Sequence, residues 1–208
     1  MQITVFGAAG KVGTLVVEDA LRRGYTVVAF VHNHSLFSPS GKLIIVHGDV
    51  YKATDVADAL QGSQAVISCL GSWGTPKRNV LTTAMEALIP AMEQAGISRI
   101  ISLTGSGAAA PGEKGQEWLL KLLSPFPAGK VFRDGQDHMR MLADSDLQWT
   151  TLRSPVMTGF GKPGYQLKPK AGGPLATVRR SAVATALLDQ LDATNFIRTA
   201  PVLYRSAH

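Results

Sequence analysis

The sequence contains a single cysteine, Cys69, among 208 residues, so an intramolecular disulfide is excluded. A membrane-spanning helix needs about 20 apolar residues, and the apolar stretches of this sequence are shorter. The charged region followed by an apolar run that is typical of a signal peptide is not seen near residue 1. Internal repeats, low-complexity tracts and linkers are absent as well. A chain of this length can bury roughly 70% of its unfolded surface without disulfides or metals. We therefore expect one domain over residues 1–208, a soluble cytoplasmic protein, and a monomer or homodimer.

Charge of one sign is in modest excess, since 21 basic and 15 acidic side chains give a net charge of +6. Such a surplus can attract nucleic acid, an anionic membrane surface or a phosphorylated or carboxylated small molecule. The basic residues are mostly scattered, and the nearest approach to a cluster is Lys162, Lys168 and Lys170. No base-stacking or groove-reading motif accompanies them, so we expect a small-molecule partner and neither nucleic acid nor membrane.

Short β-branched apolar runs alternate with helical patterns along most of the chain. The runs predict strands over residues 3–6, 26–31, 43–46, 65–68, 99–103 and 148–153. The helical patterns predict helices over residues 11–23, 54–60, 80–94 (through Pro90), 135–142 and 181–191. This order predicts an α/β fold, a Rossmann-like doubly wound parallel sheet with helices on both faces. A small substrate lobe would come from the C-terminal part, with 105–130 and 154–178 as loops near the substrate.

A glycine turn joins the first strand to the first helix. It reads Gly7-Ala8-Ala9-Gly10-Lys11-Val12-Gly13, a GxxGxxG arrangement. Glycine permits backbone angles closed to other residues, and a helix N-terminus presents unpaired N–H groups and a positive dipole to an anion. A tight structural turn would also favour glycine and alanine. The position of the turn in the first βαβ unit favours a dinucleotide pyrophosphate.

The residue that contacts the adenosine ribose is expected about 20 residues beyond the glycine turn. That position reads Val31-His32-Asn33-His34, without the acid that accepts from a 2′-hydroxyl and repels a 2′-phosphate. We therefore favour NADP(H), with NAD as the alternative. His32 is the candidate phosphate partner, together with Lys11 or His34, although either histidine can equally be a solvated side chain.

Two further strand ends carry candidate cofactor residues. Asp49, in Gly48-Asp49-Val50 after the third strand, can accept from the adenine amino group or can cap a turn. Cys69-Leu70-Gly71 ends the fourth strand, at the crevice where the strand order of a doubly wound sheet reverses and cofactors lie.

Together these motifs resemble the atypical short-chain dehydrogenase/reductases. The resemblance also includes the strand end Ile101-Ser102-Leu103-Thr104 and the stretch Asp137-His138-Met139-Arg140-Met141. It is strongest to the NAD(P)H-binding proteins related to biliverdin-IXβ reductase (flavin reductase), with NmrA-like proteins as more distant relatives. It covers nearly the whole chain.

The resemblance implies which residues contact the cofactor. It implies contacts to the pyrophosphate from Gly7, Ala8, Ala9, Gly10, Lys11 and Val12, to the adenosine from His32, Asp49 and Val50, and to the nicotinamide side from Leu70, Gly71, Thr104 and Pro155.

This sequence departs from the family at three positions. His32 replaces the arginine at the ribose phosphate, and Gly105 follows Thr104 where the reductases have serine. Ser106 is therefore the candidate catalytic residue if the loop shifts by one residue. Val156 stands where the reductases have a histidine proposed as proton donor.

The Tyr-x-x-x-Lys pair of most short-chain dehydrogenases is absent, because none of the four tyrosines has a lysine four residues on. Alcohol dehydrogenation is therefore disfavoured. A conjugated planar acceptor such as a flavin, quinone or tetrapyrrole spreads the charge that hydride brings, so solvent can supply the proton and catalysis depends on proximity. Trp73 is the candidate platform for such a ring, with Trp118 or Phe126 as alternatives. We interpret His138 as a solvated or capping residue.

Two other functions fit the same sequence. A regulatory sensor would bind NADP and signal its occupancy without moving a hydride, and the missing catalytic side chains favour it. A sugar-nucleotide epimerase is less favoured, because it too needs the tyrosine.

Overall fold

The computed structural model describes residues 1–33, 37–72, 78–113, 126–160, 164–170 and 177–206. The strands are β1 (Gln2–Phe6), β2 (Thr26–Val31), β3 (Leu43–His47), β4 (Ala65–Ser68), β5 (Arg99–Gly105), β6 (Gln148–Ser154), β7 (Val156–Thr158), β8 (Tyr165–Lys168), β9 (Thr177–Arg179) and β10 (Val202–Arg205). The helices are α1 (Gly13–Arg22), α2 (Ala53–Leu60), α3 (Val80–Gln94), α4 (Pro127–Asp144) and α5 (Arg180–Asp189).

An eight-stranded sheet runs in the order β3-β2-β1-β4-β5-β6-β10-β8, and β7 pairs with β9 outside it. Every pairing in the large sheet is parallel except that of β8 with β10. The direction of winding reverses between β1 and β4, whose carboxyl ends are neighbours. A crevice that can hold a ligand is expected outside the carboxyl ends of such a pair.

Helices cover both faces of the sheet, and each face has its own apolar core. On one face α1 and α5 pack through residues such as Val16 and Leu187, and on the other α2, α3 and α4 pack through residues such as Val56, Met85 and Met139. The Rossmann-like doubly wound fold and its first six strands are thus confirmed. No helix in the described part of the chain is both long and apolar enough to cross a membrane.

Helix α4 begins eight residues before the predicted helix at 135–142. Gly135, the first residue of the predicted helix, lies inside α4. A Cβ at Gly135 would overlap Thr104 Oγ1 and lie 3.1 Å from the Ala108 side chain, so the glycine allows close packing of α4 on β5. Pro127 stands in the first turn of α4, where a helix tolerates proline.

The segment 154–178, predicted as loops near the substrate, contains the short strands β7 and β8 and the start of β9, and β10 was not predicted. These strands have only three or four residues each, too short for an alternating pattern to stand out. Helix α3 continues through Pro90 as predicted. Helix α1 begins at Gly13 instead of Lys11, so the turn before it is longer than predicted.

Candidate cofactor site

Glycine is required at two positions of the turn between β1 and α1. Gly7 has a φ of +73°, and a Cβ there would lie 3.0 Å from the Cys69 carbonyl group. A Cβ at Gly13 would overlap the Gly7 carbonyl oxygen and lie 2.9 Å from Ala8 Cα. The glycine turn therefore packs closely against the chain that leaves β4. The start of α1, at Gly13, packs equally closely against Gly7 and Ala8.

The start of α1 is suited to an anion. Val12 provides no side-chain cap, and the first turn of the helix contains no acidic residue that would neutralise its positive dipole. Ala9, Gly10 and Lys11 are exposed, whereas Ala8 and Val12 are buried beneath them. Of the residues predicted to hold a pyrophosphate, 9–11 thus form a small exposed surface at a helix N-terminus.

His32 follows β2 and is exposed, with Nδ1 3.2 Å from the Gly48 carbonyl oxygen. Because a carbonyl only accepts, Nδ1 carries the proton, and Nε2 is the ring nitrogen left to meet a ligand. Gly48 itself is confined, since a Cβ there would lie 2.7 Å from the Phe30 ring. The ends of β2 and β3 therefore fix the position of His32, and its contact with the adenosine ribose stays a prediction.

Asp49 has a structural role. Its Oδ1 accepts from the Tyr51 N–H at 3.0 Å, and its own N–H donates to Asp55 Oδ2 at 2.9 Å. The bond from the Asp49 amide lowers the pKa of Asp55. Of the two roles predicted for Asp49, the structure shows the cap, while contact with adenine stays a prediction. Val50 is buried beside it.

The residues predicted for the nicotinamide side lie at the carboxyl ends of β4, β5 and β6. Leu70 is next to the Gly7 turn, where its backbone nitrogen would lie 3.1 Å from a Cβ on Gly7. Thr104 is buried, and the N–H of half-buried Ser106 donates to the Ser154 carbonyl at 2.8 Å. Pro155 follows directly. Gly71 is exposed.

Two predicted platforms, Trp73 and Trp118, lie outside the described residues. Phe126 is 56% exposed immediately before α4, so its ring is available for stacking. Burial raises the pKa of Cys69 to about 12, so this side chain is a neutral thiol at physiological pH and a poor nucleophile.

The interpretation of His138 as a solvated or capping residue is wrong, because the side chain is fully buried between α4 and the sheet. Nδ1 donates to the Gly135 carbonyl at 2.9 Å, so Nε2 accepts from the Ser102 hydroxyl at 3.0 Å. Ser102 Oγ in turn lies 2.7 Å from Thr151 Oγ1. Burial lowers the pKa of His138 to about 4, which keeps the ring neutral. Its role is structural.

Asp134 is a residue whose importance the sequence did not indicate. This buried carboxylate on α4 accepts from the Ser72 hydroxyl, from the Leu81 and Thr82 N–H groups at 3.0 and 2.9 Å, and from Thr82 Oγ1 at 2.6 Å. It therefore caps the N-terminus of α3 from another helix and fixes Ser72, the residue after Gly71. No local motif signals such a partner, because the acceptor and its donors are far apart in sequence.

A cavity of about 590 Å³ opens between the first turns of α3 and α4. Its lining residues are Arg78, Asn79, Thr82, Gly129, Lys130, Arg133, Asp134 and Asp137. The Asp134 carboxylate is occupied as the cap of α3, and Asp137 pairs with Arg140 at 3.1 Å. The ion pairs of the described residues include neither Lys130 nor Arg133. Its lining thus carries three basic and two acidic side chains, a formal excess of +1, and Lys130 and Arg133 offer donors to an anionic group.

Residues 7–194 match the model of a protein family described as NAD(P)H-binding. The chain belongs to this NAD(P)H-binding family. The match begins at Gly7 and spans the uncapped start of α1 as well as the carboxyl ends of β2, β4, β5 and β6. The atypical short-chain dehydrogenase/reductase resemblance is therefore confirmed at the level of the family.

Curated relatives of this NAD(P)H-binding protein align over part of the chain. It is 29% identical over 108 residues to the uncharacterized protein YwnB of Bacillus subtilis, covering 52% of this chain and 49% of YwnB. It is 28% identical over 106 residues to the photosystem II assembly factor Ycf39 of Synechocystis, covering 49% of this chain and 32% of Ycf39. The matched part thus spans about half of one relative and a third of the other.

Solved structures align over the whole chain. ChuY, described as an anaerobillin reductase from Escherichia coli O157:H7, has a TM-score of 0.78 at 24% identity, covering 100% of this chain and 98% of ChuY. A short-chain dehydrogenase/reductase from Veillonella parvula in complex with NADP has a TM-score of 0.78 at 19% identity, covering 99% and 95%. At these identities the likeness shows the shared fold.

Proposed function

We propose that the protein is an NAD(P)H-dependent reductase that transfers hydride to a conjugated acceptor such as a flavin, quinone or tetrapyrrole. The observation that carries the proposal is the uncapped N-terminus of α1 at the reversal point of the sheet, where Gly7 packs against the chain leaving β4 and Gly13 packs against Gly7 and Ala8. Bound NAD(P)H would supply the hydride there. The small exposed backbone of residues 9–11 fits a pyrophosphate.

The chain's own residues would act by positioning. Leu70 and Gly71 would border the nicotinamide on one side, with Thr104, Ser106 and Pro155 on the other. The Ser106 hydroxyl is the candidate to hydrogen-bond the acceptor, and solvent would supply the proton. Proximity of donor and acceptor needs no dedicated acid when the product charge is delocalised.

We infer that the acceptor carries an anionic group and that the cofactor is NADP(H), with NAD(H) as the alternative. The cavity between α3 and α4 begins next to Ser72 and offers Arg78, Lys130 and Arg133 to a carboxylate or phosphate. At the other end of the site, the stretch Val31-His32-Asn33-His34 contains no acid in the position that would repel a 2′-phosphate.

A direct assay tests the proposal. Purified protein is mixed with NADPH or NADH and with FMN, riboflavin, a quinone or biliverdin, and loss of the reduced-nicotinamide absorbance is followed. We expect turnover with at least one acceptor and faster turnover with NADPH. Tight cofactor binding without turnover of any acceptor would contradict the reductase.

Cofactor binding itself is tested by calorimetry with Gly10→Glu, which places a carboxylate on the exposed backbone of the turn. We expect binding of NADPH to be lost. Gly41→Glu is the matched control, because Gly41 is exposed on the loop before β3 and a Cβ there would meet no atom within 4 Å. Equal affinity of the two variants would refute the site.

A second candidate is a regulatory protein that senses NADP without catalysis. It is favoured by the missing Tyr-x-x-x-Lys pair and by Val156, which is 64% exposed where the reductases have histidine. A relative named as an assembly factor, Ycf39, is in keeping with a role of this kind. The turnover assay separates the two candidates.

A further inference from the structure

Arg153 is fully buried at the carboxyl end of β6, yet its guanidinium makes five hydrogen bonds with residues that the structure describes. Its Nε donates to the Ala200 carbonyl at 2.8 Å, and Nη1 donates to the Ala108 carbonyl at 3.2 Å. Nη1 and Nη2 both donate to the Glu113 carboxylate, at 2.6 and 2.7 Å. Nη2 also lies 3.4 Å from the Pro169 carbonyl oxygen. One guanidinium therefore joins three separate segments of the chain.

Glu113 completes the arrangement from the segment 106–113, which follows β5. Its Oε2 also accepts from the Ala110 N–H at 3.1 Å. Partial burial alone would raise the pKa of Glu113, but hydrogen bonds from Arg153 and Ala110 outweigh this effect and lower it. The carboxylate is thus charged, and the paired, two-pronged geometry satisfies the buried guanidinium.

The segment held in this way borders the candidate nicotinamide side. In the pairing of β5 with β6, Arg153 is opposite Thr104 and Ser154 is opposite Gly105. The Ser154 carbonyl accepts from the Ser106 N–H. Arg153 thus fixes residues 108 and 113, while its neighbour Ser154 fixes residue 106, so the whole segment is anchored to β6.

We propose that Arg153 is a positioning residue for hydride transfer, acting through Glu113 and the Ala108 carbonyl to hold the segment that carries Ser106 against the acceptor. The proposal rests on the reductase function proposed above. It differs from a purely structural role because the loss of Arg153 would displace the acceptor wall and leave the pyrophosphate turn at the opposite side of β4 intact.

Arg99 provides the matched control. It is buried, with 8% of its surface exposed, but it lies at the amino end of β5, away from the carboxyl ends of the strands that carry the candidate site. Its guanidinium donates to the Gln148 carbonyl at 2.7 Å and to the Gln190 carbonyl. Replacing Arg99 therefore removes a buried guanidinium of the same kind without touching the segment 106–113.

The experiment compares Arg153→Met, Arg153→Lys, Glu113→Gln and Arg99→Met, at a temperature at which all four remain folded. We expect Arg153→Met and Glu113→Gln to lower kcat/KM for the acceptor by about tenfold or more, with NADPH affinity within about twofold of wild type. Arg153→Lys should recover part of the loss, because it restores the charge without the two-pronged geometry. Arg99→Met should keep wild-type kcat and KM.

Hydrogen exchange of the cofactor-free protein gives a second readout that needs no turnover. We expect the amides of Ser106, Ala108 and Ala110 to exchange at least about tenfold faster in Arg153→Met and Glu113→Gln, and at the wild-type rate in Arg99→Met. Unchanged exchange of these amides would overturn the proposal, as would equal losses of kcat/KM in Arg153→Met and Arg99→Met. A wild-type protein without turnover would refute the reductase, while exchange would still decide the role of Arg153.

Discussion

Acid should destabilise the protein through His138, and the size of the effect follows from burial. The ordinary pKa of 6.5 applies to the unfolded chain, whereas burial lowers the pKa to about 4 in the folded protein. The folded state therefore excludes a proton that the unfolded state binds. This stability is fully present above the unfolded pKa and is lost as the pH falls toward the folded pKa. Each pH unit inside that window costs about 1.4 kcal/mol, so the fall from about pH 7 to about pH 5 costs about 2 kcal/mol.

Urea unfolding of wild type and His138→Asn at the two pH values measures this contribution. The variant should be less stable at neutral pH, because the Ser102 and Gly135 partners lose the imidazole, but its stability should lack the loss of about 2 kcal/mol on acidification. His47→Asn is the control, since this exposed histidine at the end of β3 lies outside the core and its replacement should preserve the wild-type loss. The pH of about 5 lies above the range in which Glu113 and Asp55 titrate, because their pKa values are lowered. An equal loss in wild type and His138→Asn would refute the reasoning.

Three further substitutions test the site. Gly13→Ala should weaken NADPH binding by about tenfold or more in calorimetry, because its Cβ would overlap the Gly7 carbonyl and displace the turn; wild-type affinity would show that the turn does not hold the cofactor. Asp134→Ala should lower the free energy of unfolding by about 2–4 kcal/mol in urea, because the start of α3 loses its cap, whereas Asp137→Ala should change it by less than about 0.5 kcal/mol. His32→Arg should raise the preference for NADPH over NADH about tenfold, measured as a ratio of dissociation constants, because a guanidinium can donate two hydrogen bonds to one phosphate. An unchanged ratio would place the 2′-phosphate elsewhere.

Local rules explain what the sequence predicted well. The glycine turn, the strand before it and the helix after it depend on the conformations of neighbouring residues, and the turn indeed begins with a positive φ at Gly7. The order of the first six strands follows from repeated βαβ units, whose handedness and adjacency leave few alternatives. Cofactor residues at strand ends could be named for the same reason, since each follows a predicted strand.

Long-range partners explain what the sequence missed. The carboxylate of Asp134 caps the N–H groups of Leu81 and Thr82, which are 53 and 52 positions earlier in the sequence. The partner of Arg153, Glu113, is 40 positions earlier. His138 resembled a surface histidine because its partner on β5, Ser102, is 36 positions away. The start of α4 was predicted too late, at Gly135, because the reason for this glycine, close contact with Thr104, lies on β5. The role of each of these residues depends on tertiary packing, and no pattern in the neighbouring sequence indicates it.

Because Asp134 on α4 caps the N-terminus of α3, α3 gains its cap only after the chain has been synthesised beyond residue 134. During synthesis, the beginning of α3 emerges well before residue 134, so its first amides must be satisfied by water until the later helix docks. Closing so distant a contact costs loop entropy before the contact can stabilise the fold. Docking of α4 on α3 is therefore expected to be a late and cooperative step of folding. A nascent or truncated chain that stops before α4 would expose the apolar side of α3 as well, and would be a natural target for chaperones.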